Sequence, residues 1–201
     1  MKDFWQKIKK PIIALAPMAG YTDCAYRQLV KAICNDIICF TEFTSADGIA
    51  FGSKKTISQV EFNKEKESPL VAQIFGKHPQ NFQKAAKFLE EEIGVAAIDI
   101  NMGCPAKKVF SSDHGAAMLK NPALAAEIVA ATNEATKLAV SIKIRVGIDK
   151  IDPDVIINFC QKMEKAGAAL ITLHGRTAKQ MYTGLANWEI MYEIKKNVNI
   201  P

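Results

Sequence analysis

A cysteine in a short loop is the residue of this sequence whose surroundings point most clearly to chemistry. Residues 99–105 read DINMGCP, so an apolar stretch runs into a loop in which Cys104 is followed by Pro105, which restricts the backbone beside the thiol. An unperturbed thiol has a pKa of about 8.5 and is mostly protonated at neutral pH, so Cys104 can serve as a general acid without special tuning. A nucleophile would need a lowered pKa, and no Cys-His-Asn signature is recognisable. The remaining cysteines fit small buried apolar residues better: Cys24, Cys34, Cys39 and Cys160.

Polar side chains recur at the carboxyl ends of successive apolar runs. In chain order they are Glu42, Gln73, Asn101, Lys143 with Arg145, and His174. Taken singly, each fits a solvated strand end or a helix cap about as well as a site residue. Because a β/α barrel builds its active site from the carboxyl ends of its strands, the repetition favours a site.

The apolar runs and the segments between them indicate the elements that position these residues. Short runs rich in β-branched residues occupy 12–16, 37–42, 70–75, 96–101, 139–145 and 169–174, and helical periodicity occupies 81–93, 123–137 and 154–166. Strands that are apolar throughout and joined by helices predict a parallel α/β architecture with both faces covered. No G-x-G-x-x-G follows the first run, which favours a (β/α)8 TIM barrel over an open dinucleotide-binding sheet.

The number of strands bears on how much of a barrel is present. Six runs are found where a closed barrel has eight strands, and residues 199–201 fall where a seventh is expected to begin. We therefore expect a TIM barrel truncated after about six β/α units, with residues 1–201 forming one catalytic domain.

Composition excludes several classes of protein. The chain has 201 residues, a net charge of +5 and no apolar run long enough to span a bilayer, so we expect a protein without membrane attachment. Five cysteines without a C-x-x-C pair argue against a zinc site and for reduced thiols in the cytoplasm. Two prolines interrupt the apolar stretch after the lysine-rich start, so we do not expect a targeting peptide.

Several segments, taken in order, resemble the tRNA-dihydrouridine synthases from about Ile12 to Pro201. They are APMAGYTD at 16–23, TE at 41–42, QIFG at 73–76, DINMGCPAK at 99–107, KIR at 143–145 and HGRT at 174–177. The series is highly specific, although no single segment would be.

The resemblance implies an enzyme that reduces particular uridines of tRNA to 5,6-dihydrouridine. Reduced FMN would deliver hydride to carbon 6 of the uracil, Cys104 would protonate carbon 5, and NADPH would reduce the flavin again. The residues implied to bind the cofactor are Pro17, Met18, Ala19, Gln73, Lys143 and His174. Those expected to contact the substrate are Asn101, Lys107, Arg145 and Arg176. The protein would be monomeric and cytoplasmic, with tRNA as its partner and no metal.

Other interpretations remain open at this point. Lys143 also fits a structural ion pair with Glu42 or Asp99, and His114 fits a helix start as well as a catalytic role. The chain also fits another FMN-dependent barrel of the dihydroorotate or dihydropyrimidine dehydrogenase kind, a Schiff-base aldolase using Lys143, or an inactive RNA-binding fragment. Because the family's last strands and its C-terminal helical tRNA-binding domain are not found, we expect the 201-residue chain to bind FMN weakly or not at all, to fold marginally and to leave a sheet edge open.

Overall fold

A parallel β-sheet wrapped by helices organises the computed structural model, which describes residues 2–201. Met1, the first residue of the predicted domain, lies outside the described residues. The strands are β1 (Ala14–Leu15), β2 (Ile38–Phe40), β3 (Thr44–Ser45), β4 (Leu70–Phe75), β5 (Ala97–Met102), β6 (Ala139–Arg145) and β7 (Leu170–His174). The six predicted runs are confirmed as strands. The sequence did not predict β3, because two residues are too few to form a pattern.

Helices follow most of the strands, as the periodicity predicted. Six of them are short: α1 (Phe4–Lys7), α3 (Ala46–Ala50), α4 (Lys54–Ile57), α5 (Lys64–Glu67), α7 (Lys107–Phe110) and a 3-10 helix at Gly115–Lys120. The longer ones are α2 (Cys24–Ile33), α6 (Pro79–Phe88) continued by a π-helical segment at Leu89–Ile93, α8 (Pro122–Ala135), α9 (Pro153–Lys165) and α10 (Trp188–Lys196). Proline occupies the first turn of α6, α8 and α9, where its missing N–H costs nothing.

The strand order is that of a β/α barrel. It runs β1-β2-β4-β5-β6-β7 with every pairing parallel, and β3 adds to the carboxyl end of β4. This half-barrel with surrounding helices confirms the predicted fold class. Among residues 2–201, β1 and β7 are the outermost strands of the sheet, and they do not pair with each other. On the outer side of β7, the Ile171 N–H donates a hydrogen bond to the carbonyl of Pro201 at 3.0 Å.

Side chains on the concave face change from apolar to polar along the strands. The amino-terminal layer contains Val71, Ala97 and Ala139, all buried against Trp5 of α1. One step further, in register with one another, come Gln73, Asp99 and Ser141, all fully buried. Because side chains alternate between the two faces of a strand, this order follows directly from the sequence of each strand.

The first helix closes the amino-terminal end of the barrel. Trp5 is 1% exposed and stacks on Phe40 with ring centroids 6.1 Å apart. The Lys2 ammonium donates to the carbonyl and the side-chain oxygen of Asn133. Trp5 and Lys2 thus tie this segment to the rest of the fold, while Lys7, Lys9 and Lys10 are exposed. In residues 2–201, no helix is both long and apolar enough to cross a bilayer.

A buried ion pair anchors α2 to the segment before β4. The carboxylate of Glu67 accepts from Arg27 Nε at 2.6 Å, from the Asn63 N–H at 2.8 Å and from the Cys24 thiol at 3.1 Å. Arg27 also donates to the carbonyl of Thr22 at 2.8 Å. Arg27 and Glu67 are both excluded from solvent.

We predict that Arg27→Met destabilises the protein by about 3–5 kcal/mol, because it leaves the Glu67 carboxylate buried without its cation. Urea unfolding measures this loss. As a matched control, Lys196→Met removes the exposed pair with Glu193 and should cost less than about 1 kcal/mol. Equal losses in the two variants would contradict the assignment of Arg27 and Glu67 as an anchor.

Candidate active site

A cavity of about 390 Å³ opens at the carboxyl ends of the strands, within the range of roughly 300–1,000 Å³ typical of small-molecule sites. Nine of the eleven predicted site residues line it: Pro17, Met18, Ala19, Gln73, Asn101, Cys104, Lys143, Arg145 and His174. The structure therefore brings together residues that are up to 157 positions apart in the sequence, from Pro17 to His174.

The other two predicted residues do not line this cavity. Lys107 is exposed at the start of α7, just beyond the Cys104 loop. Arg176 donates from Nε and Nη2 to the carbonyl of Gly184, at 3.2 and 3.0 Å. Both substrate roles stay predictions, and any contact they make would be outside the cavity.

The loop after β1 forms one wall of the cavity. The carboxylate of Glu42, just beyond β2, accepts a hydrogen bond from the Gly20 N–H. Met18 N–H donates to the hydroxyl of the fully buried Thr22 at 3.0 Å, and its carbonyl accepts from the Thr22 N–H at 3.0 Å. These contacts hold Pro17, Met18 and Ala19 along the cavity as a backbone cradle.

A side-chain amide fixes the loop that carries the thiol. Asn101 Oδ1 accepts from the backbone N–H groups of Gly103 and Cys104, at 3.1 and 3.0 Å. The Cys104 carbonyl accepts from the Ala116 N–H at 3.0 Å. Gly115, at a φ of +59°, is needed here because an added Cβ would stand 2.7 Å from that same carbonyl oxygen. The backbone of Cys104, a residue that lines the cavity, is therefore held from both sides.

Lys143 presents a cation to the cavity without a hydrogen-bond or ion-pair partner among residues 2–201. Within residues 2–201, its Nζ makes no hydrogen bond, and the ion pairs found there do not include it. The alternative of an ion pair with Glu42 or Asp99 is not formed among these residues: Glu42 accepts from the Gly20 N–H, and Asp99 accepts from Gln73 and Ser141. Burial lowers the pKa of Lys143; the nearby Asp99 carboxylate opposes this shift, and repulsion from Arg145 adds to it.

Arg145 joins two loops of the site. Its side chain is 2% exposed and donates to the carbonyls of Gly103 at 3.0 Å, Thr177 at 2.9 Å and Met181 at 2.8 Å. It thereby ties the Cys104 loop to the segment after β7, and its guanidinium lies 5.8 Å from the ring centroid of Tyr182. Arg145 also lines the cavity, so its predicted substrate contact stays a prediction beside this structural role.

The two histidines near the site differ in position. His174 lines the cavity, and burial together with Arg145, Lys143 and Arg176 lowers its pKa to about 4, so it is a neutral acceptor near pH 7. His114 precedes the 3-10 helix and packs edge-on against Phe75, with ring centroids 5.6 Å apart. It does not line the cavity, which favours the helix-start interpretation.

Sequence reasoning missed the aromatic part of the lining. Tyr21, Phe43 and Tyr182 contribute rings, and Met181 adds a thioether. Phe43 had a usable signal, since it follows the strand-end pair at 41–42. Tyr182 had none, because it lies in an aperiodic loop that only the tertiary fold returns to the cavity.

A flavin fits the donor set of this cavity. The chain offers a backbone cradle, aromatic and apolar walls, the amide of Gln73 and a cation without a partner among the described residues. Cofactor sites are built in this way, mostly apolar with a few polar groups that orient the ligand.

The fold and the position of the cavity define a β/α-barrel protein whose site is built by the loops at the carboxyl ends of its strands. Comparison with known proteins supports this class. The barrel in the crystal structure of TcOYE with pHBA superposes with a TM-score of 0.64 at 10% identity, over 94% of this chain and 77% of that one. At this identity the likeness concerns the fold alone.

Sequence comparison identifies the family. Residues 14–201 match the model of the dihydrouridine synthase (Dus) family, so the chain belongs to that family. It is 38% identical over 189 residues to tRNA-dihydrouridine synthase B of Pseudomonas aeruginosa, covering 94% of this chain and 56% of that protein. It is 36% identical over 196 residues to a probable tRNA-dihydrouridine synthase of Aquifex aeolicus, covering 96% and 60%. The chain thus spans little more than half the length of these curated relatives.

Family membership confirms the resemblance found in the sequence. It disfavours two of the alternatives that the sequence left open: a barrel of the dihydroorotate or dihydropyrimidine dehydrogenase kind, and a Schiff-base aldolase.

We predict that His174→Asn reduces the pH dependence of stability between pH 6.5 and 4. In the wild type the unfolded chain binds a proton at His174 over this range and the folded chain does not. The free energy of unfolding therefore decreases as the pH is lowered from 6.5 to 4. Burial raises the pKa of Asp99 to about 6, which acts in the opposite direction but is common to both proteins. Urea midpoints across this pH range measure the effect. Parallel curves for wild type and variant would contradict a neutral His174.

Proposed function

We propose that this protein reduces uridines in tRNA to 5,6-dihydrouridine, using FMN as cofactor and NADPH as the source of electrons. The observation that carries the proposal is the meeting of Cys104, Lys143 and the cradle at 17–19 around one cavity in a member of the dihydrouridine synthase family. Residues 1–201 would form the FMN-binding part of the catalytic barrel. The protein would act as a monomer in the cytoplasm, without a metal.

The proposed chemistry divides the reduction between cofactor and protein. A flavin bound in the cavity would supply the hydride for carbon 6 of the uracil. Cys104 holds the proton that goes to carbon 5, at the mouth of the cavity and on a loop fixed by Asn101. Delivery from this position completes the addition across the carbon–carbon double bond, because carbon 5 then carries the second new hydrogen.

The cavity residues would orient both ligands. Lys143 offers its free ammonium to the negative charge that accumulates on reduction, and neutral His174 offers a hydrogen-bond acceptor. Gln73 would meet the edge of the flavin ring. Asn101 and the buried Arg145 would contact the uracil.

A uridine must leave its stack before carbons 5 and 6 can be reached, which is cheapest at unpaired positions of the tRNA. The rim of the cavity suits an extruded nucleotide, since Tyr21 is 71% and Tyr182 76% exposed beside it. Exposed aromatic rings stack on bases, and Lys107 and Arg176 outside the cavity would contact the phosphates. The net charge of +5 favours the same polyanion.

We predict that Cys104→Ala lowers dihydrouridine formation by roughly 100-fold or more, the usual contribution of a positioned general acid. Quantifying dihydrouridine in tRNA under single-turnover conditions measures this. Flavin reduction by NADPH should be unchanged, because the thiol acts on the uracil alone. Cys34→Ala, which alters a half-buried cysteine outside the cavity, is the matched control. Dihydrouridine accumulating at the wild-type rate in Cys104→Ala would refute the proton-donor role.

We predict that Lys143→Met makes the midpoint potential of the bound flavin more negative, because the reduced, charged form loses a nearby cation. The expected shift is tens of millivolts, since about 30 mV corresponds to 1.4 kcal/mol in a two-electron couple. Spectroelectrochemical titration of the flavin-loaded protein measures it. Lys137→Met, which removes an exposed lysine two residues before the start of β6, should leave the potential unchanged. An unshifted potential in Lys143→Met would contradict the assignment.

A further inference from the structure

The fully buried carboxylate at the centre of the barrel has no role in the proposed chemistry. Asp99 lies in the middle of β5, in register with Gln73 of β4 and Ser141 of β6, and is 0% exposed. It does not line the cavity and has no ion-pair partner in residues 2–201. A buried carboxylate is costly unless its oxygens are satisfied, so its contacts indicate what it does.

Both oxygens of Asp99 act as acceptors. Oδ2 accepts from Gln73 Nε2 at 2.7 Å, and Oδ1 accepts from the Ser141 hydroxyl at 2.6 Å. A side-chain amide donates at its nitrogen and accepts at its oxygen. With its nitrogen bound to Asp99, the Gln73 amide must direct its oxygen the other way.

The orientation of the Gln73 amide in turn fixes that of Asn101, which contacts the Cys104 loop. Gln73 Oε1 accepts from Asn101 Nδ2 at 3.0 Å. With its nitrogen used there, Asn101 turns Oδ1 towards the backbone N–H groups of Gly103 and Cys104. If either amide were reversed, two donors or two acceptors would face each other somewhere along this line, and a buried mismatch of that kind costs free energy.

We propose that Asp99 is a positioning residue that fixes the orientation of the Gln73 and Asn101 amides and, through them, the backbone of Cys104. What matters is a hydrogen-bond acceptor at the position of Oδ2. This inference depends on the proposed function in one respect only, which is the catalytic use of the Cys104 thiol. Asp99 does so without touching the cavity, so it contacts neither substrate nor cofactor.

Two substitutions separate the acceptor from the negative charge. Asp99→Leu has a similar size and removes both acceptors, so Gln73 is freed and the Cys104 loop loosens. Asp99→Asn keeps an oxygen towards Gln73, while its amide nitrogen donates to the Ser141 hydroxyl. We therefore expect Asp99→Asn to keep the wild-type orientation of the Gln73 amide, and Asp99→Leu to lose it. Ser141→Ala, which removes the other contact of Asp99, is the matched control.

The readout is the alkylation rate of Cys104 by iodoacetamide in the flavin-free protein, followed by mass spectrometry of its peptide. The exposed Cys24 serves as internal reference. We expect several-fold faster alkylation of Cys104 in Asp99→Leu, and the wild-type rate in Asp99→Asn and Ser141→Ala. An unchanged rate in Asp99→Leu would overturn the proposal. Accelerated alkylation in Asp99→Asn would also overturn it, because the charge would then be what matters.

A second measurement needs no substitution and remains decisive if Asp99→Leu does not fold. In protein labelled with ¹⁵N-glutamine, the Gln73 side-chain amide protons should exchange with solvent much more slowly than those of exposed glutamines. Rapid exchange would show that the amide is not held and would overturn the proposal. Neither measurement involves flavin or tRNA, so failure here is distinguishable from failure of the proposed function, which Cys104→Ala tests.

Discussion

The requirement that buried polar groups be hydrogen-bonded determines how side chains are arranged towards the carboxyl end of the barrel. Gln73, Asp99 and Ser141 are fully buried in the barrel interior, where they hydrogen-bond to one another. Because amides and carboxylates have fixed donor and acceptor ends, these contacts have a direction. The series of hydrogen bonds ends at the backbone N–H of Cys104, so it connects the buried core to the loop that carries the thiol.

The division of the barrel interior into two halves gives the protein both stability and a site. At the amino-terminal end, Trp5 packs on apolar strand residues such as Val71 and Ala97 and covers that end of the barrel. At the carboxyl end, Lys143 and Arg145 line the cavity beside the Cys104 loop. Since alternate residues of one strand share a face, each strand carries its apolar contact and its site residue on the same side.

Much of the fold followed from the sequence because its signals are local. The runs at 70–75 and 139–145 became strands with those same bounds, since apolar stretches between turn and helix signals are read from neighbouring residues. The site residues on or beside strand ends, such as Gln73 and His174, followed from the same regularity. Tyr182 and the clamp made by Arg145 did not, because their positions depend on how an aperiodic loop folds back over the barrel.

The sequence alone determined the parallel β/α architecture and the group of residues at one end of it, because hydrophobic periodicity and strand ends are properties of the chain. The tertiary structure decided which of those residues share a cavity, leaving Lys107 and Arg176 outside it. It also decided that Lys143 makes no hydrogen bond or ion pair in the described chain and that Asp99 accepts a hydrogen bond from Gln73. Such choices depend on distances between strands, and distances are set only when the strands pack.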